Sequence, residues 1–304
     1  MREETLPDST VASSPSEPTL GQRRRGNSVR QTWGRFARNR LAVAGLVVIL
    51  VFLVMAVFAS WLAPYDPIDQ DLPRQLQGPS RSHLLGTDDF GRDILSRIIV
   101  GSRVSLLVGV LATAIGATLG TLIGLIAGFY PKTDNLLMRL MDILLAFPGI
   151  ILAIAVIAVL GPSLFNVMIA IGVNSIPAYA RLVRSQTLSV KEKEYVESAR
   201  AIGMSDQSVL FKHVLPNCIS PLIVYSTLQL GGAILSASIL SFLGLGIQPP
   251  DPEWGAMVNA GRGWLRDAPH IATFPGIAIF LVVMGFNLLG DGLRDVLDPR
   301  MRNR

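Results

Sequence analysis

The chain has 304 residues, 50% of them hydrophobic and only 16% charged, with a mean hydropathy of +0.46, which excludes a soluble domain of this length and points to an integral membrane protein. One cysteine, Cys218, excludes an internal disulfide and a multi-cysteine metal site, and the scattered histidines His83, His213 and His270 form no metal-ligand spacing. The net charge of +5 is distributed as membrane orientation requires rather than as a nucleic-acid patch.

Residues 1–40 are rich in Ser, Pro, Thr and Glu and then in Arg, without apolar periodicity, and are expected to form a disordered basic cytoplasmic tail. The uncharged run 41–62 has spanning length, longer than a signal-peptide core, and predicts a first transmembrane helix. Arginines before it and PYDPIDQD after it place the N-terminus inside. A polar external segment follows over 63–100 and leads into LLGTDDFGRDILSRIIVGSRVSL. There Gly86, Asp88 and Gly91 predict a turn and Asp89 or Asp93 a helix cap, while the ligand alternation of an EF-hand calcium loop is missing.

The core region is expected over 101–293. Its first span, 104–129, carries Gly109, Gly116, Gly120, Gly124 and Gly128 along one face; the last four are spaced by four, so a neighbouring helix can approach at backbone distance. The next span, 136–160, contains Arg139 and Asp142 as a cytoplasmic pair and Pro148 at a position suited to a kink. The run 164–180 is short and holds Asn166, Asn174 and Pro177. The two asparagines are candidates for lining a pathway, with helix-to-helix hydrogen bonding as the alternative. A further span, 220–245, closes in SFLGLGIQPPDPEWG, where three prolines hold an extended outer turn and Trp254, like Trp264, suits the headgroup layer. The last span, 274–293, returns to the cytoplasm at Asp291, Arg294 and Asp295, before a tail over 294–304. With both ends inside, 20 of the 27 lysines and arginines are internal: 8 in 1–40, 2 in 130–139, 6 in 181–216 and 4 in 294–304. Six spans fit that bias.

Between the fourth and fifth spans lies a polar island, 190–216, reading VKEKEYVESARAIGMSDQSVLFKHVLP. Ser189 and Glu192 make a capping box for a helix from residue 190, Gly203 supplies its left-handed end, and Ser205 caps a second helix expected to end at Pro216. Tyr195, Ala199 and Ile202 share one face with Ala199 as its low point; Leu210 with Val214 and Phe211 with Leu215 repeat the spacing. On spacing alone, an amphipathic loop lying on its own protein is an equal alternative to a docking handle.

The order Glu197, Ser198, Ala199, then Gly203, then Val214, Leu215, Pro216 resembles the EAA loop of ABC importer permeases, with Ser198 in place of alanine and His213 where isoleucine is usual. LLGTDDFGRDILSRIIVGSRVSL, PPDPEWG and FNLLGDGLRD are similar to stretches of the dipeptide, oligopeptide and nickel (DppC/OppC-like) subgroup of that binding-protein-dependent family. The resemblance covers almost everything after residue 41. It implies an all-α polytopic membrane protein with six transmembrane helices, the type I ABC importer permease fold, and a cytoplasmic coupling-helix loop. It also implies that Glu197, Ser198, Ala199, Gly203, Leu215 and Pro216 couple the chain to an ATPase subunit. The implied assembly is a heterodimer with a homologous second permease subunit, two ABC ATPase subunits that bind ATP and Mg, and an external substrate-binding protein, in the bacterial cytoplasmic (inner) membrane with both termini cytoplasmic. The implied function is half of a translocation pathway for dipeptides or oligopeptides, with nickel or glutathione as alternatives.

No catalytic residue, metal site or cofactor is expected in the chain itself. It has no GxxxxGK[ST] phosphate-cradling loop and is not itself a P-loop ATPase; it also has no HExxH and no GxSxG. A secondary transporter working alone would need intramembrane carboxylates, for which Asp142 is the sole candidate and lies near a span end. An intramembrane hydrolase would need a nucleophile and base that the sequence lacks.

Overall fold

The computed structural model describes residue 34 and residues 36–297, and among these there is no strand, only helices and their connections. The tail expected over 1–40 therefore falls mostly outside the described residues, as does the end of the tail over 294–304. Among the described residues, five helical segments are long and apolar enough to cross a membrane, and a bent helix pair would make a sixth crossing.

Helix α1, Arg40–Val57, starts where Asn39 accepts hydrogen bonds from the N–H groups of Leu41 and Ala42 and ends in a further turn, Ala59–Leu62. Its small residues meet the final helix at backbone distance: a Cβ at Gly45 would fall 2.7 Å from the Gly285 carbonyl oxygen. Helix α2, Ile94–Phe129, begins well before the boundary expected from the arginines. Asp93 caps it through the Ser96 N–H, and the charges are absorbed locally. Arg97 donates to Pro67 O, and Arg103 donates to Ala56 O and Val57 O, closing the end of α1.

The expected single span over 136–160 is broken. Helix α3, Pro131–Leu145, and helix α4, Gly149–Leu160, meet at 90°. Pro148 lacks an N–H and disfavours helical backbone at Phe147, so the chain turns there rather than kinking. Asp142 pairs not with Arg139 but with Arg181, at 2.6 Å, and both partners are exposed.

Helix α5, Leu164–Lys191, overruns its expected end by passing through Ala180 and Ser189. Val183, Thr187 and Val190 continue its buried stripe at i, i+4 and i+7, and that burial overrides the Ser189–Glu192 capping box, which does not form. The four α2 glycines spaced by four bring α5 to backbone distance: a Cβ at Gly120 would lie 2.7 Å from Ile176 O and one at Gly128 2.7 Å from Thr187 Cβ, whereas Gly109 meets Ile234 instead.

After α5 come α6, Glu194–Ala201, and the short α7, Asp206–Val209. A single π-helical turn, Leu210–Val214, then feeds directly into α8, Leu215–Phe242. Pro216 therefore ends nothing. It sits in the first turn of α8, where a missing N–H costs little.

Past the proline turn, α9, Trp254–Gly261, is capped by Glu253, whose carboxylate accepts from the N–H groups of Gly255 and Ala256. Trp254, expected at the headgroup layer, is packed inside the protein instead. It is fully buried, its indole N–H donates to Ile98 O at 3.0 Å, and Phe52 meets it edge-on at 5.5 Å. Helix α10, His270–Leu297, closes the bundle against α1 and α8.

Candidate functional site

The polar island is keyed onto the adjoining ends of two spans. Val196 and Ala199 of α6 join Val209, Leu210 and Val214 in one buried cluster with Leu125 and Phe129 of α2 and Val183 and Val190 of α5. Such a cluster removes apolar surface from water and fixes the angle at which α6 leaves α5.

Ala199, expected to be the low point of a face shared with Tyr195 and Ile202, is 5% exposed and points inward. The buried face of α6 is centred between Val196 and Ala199, three apart, which leaves Tyr195 at its margin and Ile202 outside it. Ile202 is 81% exposed. Glu197, Ser198 and Gly203 are exposed beside it, Leu215 is half-buried against the cluster, and Pro216 is exposed. The structure thus splits the candidate coupling residues into an outer strip, Glu197, Ser198 and Gly203, and an inner anchor, Ala199 and Leu215.

Gly203 ends α6 as its spacing predicts. Its φ is +84°, its N–H donates to Arg200 O, and the Met204 N–H reaches back to Ala199 O at 3.1 Å, so two terminal carbonyls are satisfied. Ser205 caps α7 through the Ser208 N–H at 3.4 Å.

Three fasteners were not legible from spacing. The Arg200 guanidinium lies over the Phe129 ring, Lys191 Nζ donates to Gly128 O at 2.9 Å, and Arg184 makes a two-point pair with Asp134 at 2.5 and 2.6 Å. Each joins positions more than 45 residues apart, so no local pattern announces it.

Of the candidate pathway asparagines, Asn166 uses its amide on the Leu160 and Gly161 carbonyls, both at 2.9 Å, and so closes the end of α4. Asn174 lies over the start of α4, where a Cβ on Gly149 would fall 2.6 Å from its Nδ2. An open cleft of about 300 Å³ runs between Thr118 and Leu125 of α2 and Phe211 and Leu215.

At the other end of α2, the aspartates of the 86–93 turn have protein partners. Asp88 accepts from Arg92 at 2.7 Å, and Asp93 faces His83 Nδ1 at 2.9 Å while capping α2. Burial, with Asp88 beside it, pushes Asp89 above the usual carboxylate range. Among the described residues no group of three or more His, Cys, Asp or Glu side chains is placed to hold a metal ion.

Residues 120–303 match the family model described as a binding-protein-dependent transport system inner membrane component, and residues 28–79 match the N-terminal TM domain of oligopeptide transport permease C. The chain is 49% identical over 276 residues to the glutathione transport system permease protein GsiD of Pectobacterium atrosepticum, covering 90% of this chain and 92% of that protein. It is 52% identical over 272 residues to the protein of the same name from Escherichia coli O157:H7, covering 89% and 90%. Among solved structures, the crystal structure of an amino acid ABC transporter with histidines superposes with a TM-score of 0.51 at 15% identity, over 65% of this chain and 92% of that one; at that identity the likeness is one of fold.

Proposed function

The chain belongs to the family of binding-protein-dependent transport system inner membrane components, and from that premise we propose that it forms half of the pathway of an ATP-driven importer for glutathione or peptides of similar size. It is a multi-pass membrane permease of the type I fold, an ABC transport component of the DppC/OppC-like kind. The observation that carries the substrate reading is the 49–52% identity to GsiD proteins along about nine-tenths of both chains.

In this reading the second half of the pathway is a homologous permease subunit. Two ABC ATPase subunits hold ATP and Mg, an external protein delivers the solute, and both termini of the chain are cytoplasmic. The outer strip of Glu197, Ser198 and Gly203 seats in an ATPase groove. Ala199 and Leu215, packed on the ends of α2 and α5, pass the movement of that seat into the spans, with Pro216 opening α8 beside them. A rigid two-position loop of this kind suits alternating access, because packed interfaces switch rather than deform continuously.

The test is uptake of radiolabelled glutathione into vesicles holding the full complex. Uptake should require ATP and the external binding protein. Full-rate uptake without the ATPase subunits would overturn the importer reading, and uptake of dipeptides with exclusion of glutathione would overturn the substrate.

A further inference from the structure

Several polar side chains inside the spans bond to their own helices or to a neighbouring one. The hydroxyls of Ser102, Ser175, Thr227 and Ser238 donate to carbonyls three or four residues earlier, and Tyr179 donates to Ser226 at 3.0 Å. The Ser105 and Thr113 hydroxyls are buried without a partner, and a line on α8 also lacks partners but is partly exposed. Tyr225, Gln229, Gly232 and Ser236 recur at i, i+4, i+7 and i+11, so they lie on one face. Among the described residues, neither hydroxyl of Tyr225 and Ser236 nor the Gln229 amide has a hydrogen-bond partner. Gly232 is exposed, and a Cβ there would meet only Gln229 Oε1, at 3.7 Å.

Lipid is a poor neighbour for such a face, since hydrocarbon offers nothing to an amide or hydroxyl. Dry helix contact has a different geometry in this chain. Where α1 meets α10 and α2 meets α5, glycines bring the helices to backbone distance, against Ala42 and Leu288 in the first seam and Ser175, Tyr179, Val183 and Thr187 in the second, so no gap is left between them.

We propose that Tyr225, Gln229, Gly232 and Ser236 line the solute path and offer neutral hydrogen-bonding positions to the amide groups of a peptide in transit; this rests on the importer reading above. The Gln229 amide can accept from a peptide N–H and donate to a peptide carbonyl at once, and the two hydroxyls can do either. Gly232 leaves room at the centre. No charged residue occurs between residues 215 and 250. A charge-free lining grips neither end of a zwitterion strongly, so solute can enter and also leave.

The test uses the complex in vesicles. The lone native cysteine is replaced (Cys218→Ser), and Gln229→Cys, Gly232→Cys, Ser236→Cys and, on the other side of α8, Ile223→Cys are introduced singly. The probe is a membrane-impermeant trimethylammonium methanethiosulfonate. The three stripe positions should react roughly tenfold faster than position 223, because only a water-filled path admits a charged reagent. Their rates should also change between nucleotide-free and vanadate-trapped complexes. In addition, Gly232→Phe should lower uptake while ATP hydrolysis and co-purification of the partner subunits persist. Stripe cysteines as unreactive as position 223 would overturn the proposal, as would loss of the second permease subunit from Gly232→Phe, which would mark a subunit contact. Glutathione uptake by the Cys218→Ser complex reads the importer assignment separately, so unreactive stripe cysteines in vesicles that take it up sink the stripe alone.

Discussion

The guanidinium of Arg200 stands 4.9 Å from the centroid of the Phe129 ring, fastening the last turn of α6 to the final residue of α2. At an exposed site such a contact is worth about 0.5–1 kcal/mol. Arg200→Ala should lower the melting temperature of the detergent-solubilised complex slightly, and Phe129→Leu should cost less in the Arg200→Ala background than alone. A double-mutant cycle reads this directly, and strictly additive losses would show that the two groups do not interact.

Gly203 and Ala199 are predicted to fail differently. Nothing crowds a Cβ on Gly203, so the penalty of Gly203→Val is conformational, about 1–2 kcal/mol for forcing a branched residue into the left-handed region. Gly203→Asn should be better tolerated. Ala199→Leu instead overpacks a buried cluster at about 1–3 kcal/mol and should lift α6 from α2. Gly203→Val and Ala199→Leu should both insert in the membrane normally and hydrolyse ATP without matching uptake. Wild-type uptake in both would remove the handle from the mechanism.

The α2–α5 seam yields a contrast between two glycines. Gly120→Ala places a methyl group 2.7 Å from the Ile176 carbonyl and against Tyr179, and should destabilise the complex by about 1–3 kcal/mol. Gly276→Ala in α10 meets open space and should be neutral or stabilising by up to about 1 kcal/mol through helix propensity. Thermal melts of the two variants in one detergent decide it; equal effects would contradict the packing.

Glu253 gives the outer turn a pH dependence. Burial raises its carboxyl above the ordinary 4.5, against the lowering pull of the Gly255 and Ala256 N–H groups and the Ser241 hydroxyl. A carboxyl raised in the folded state contributes stability fully present below 4.5 and lost as pH climbs through the folded value. Glu253→Gln should therefore flatten the fall in melting temperature as pH rises above 4.5. An unchanged slope would place the titrating group elsewhere.

Much of this architecture was legible because hydrocarbon leaves the backbone so few options. An uncharged run announced α1, four glycines spaced by four announced the seam with α5, and Gly203 announced the end of α6. What stayed hidden depended on burial or on distant partners. Ser189 and Glu192 carry a sound cap, yet continuing Val183, Thr187 and Val190 against α2 buries more apolar surface than a cap offers. Ala199 was grouped with Tyr195 and Ile202, whereas it is buried with Val196, because periodicity gives a face but not its direction. Trp254 reads as an interfacial ring until Ile98 O is known to receive its N–H. Asp142 found Arg181 across the bundle, at a separation no local rule spans.

Helix α2 is one unbroken rod of 36 residues, about 54 Å long at 1.5 Å per residue. One tip is set in the Asp93 and His83 knot, and the other lies under Arg200. A stiff beam pivoting at one tip swings the other: five degrees amounts to roughly 5 Å over that length. Arrival of cargo on one side of the bilayer and firing of the motor on the other would then be two ends of a single mechanical signal.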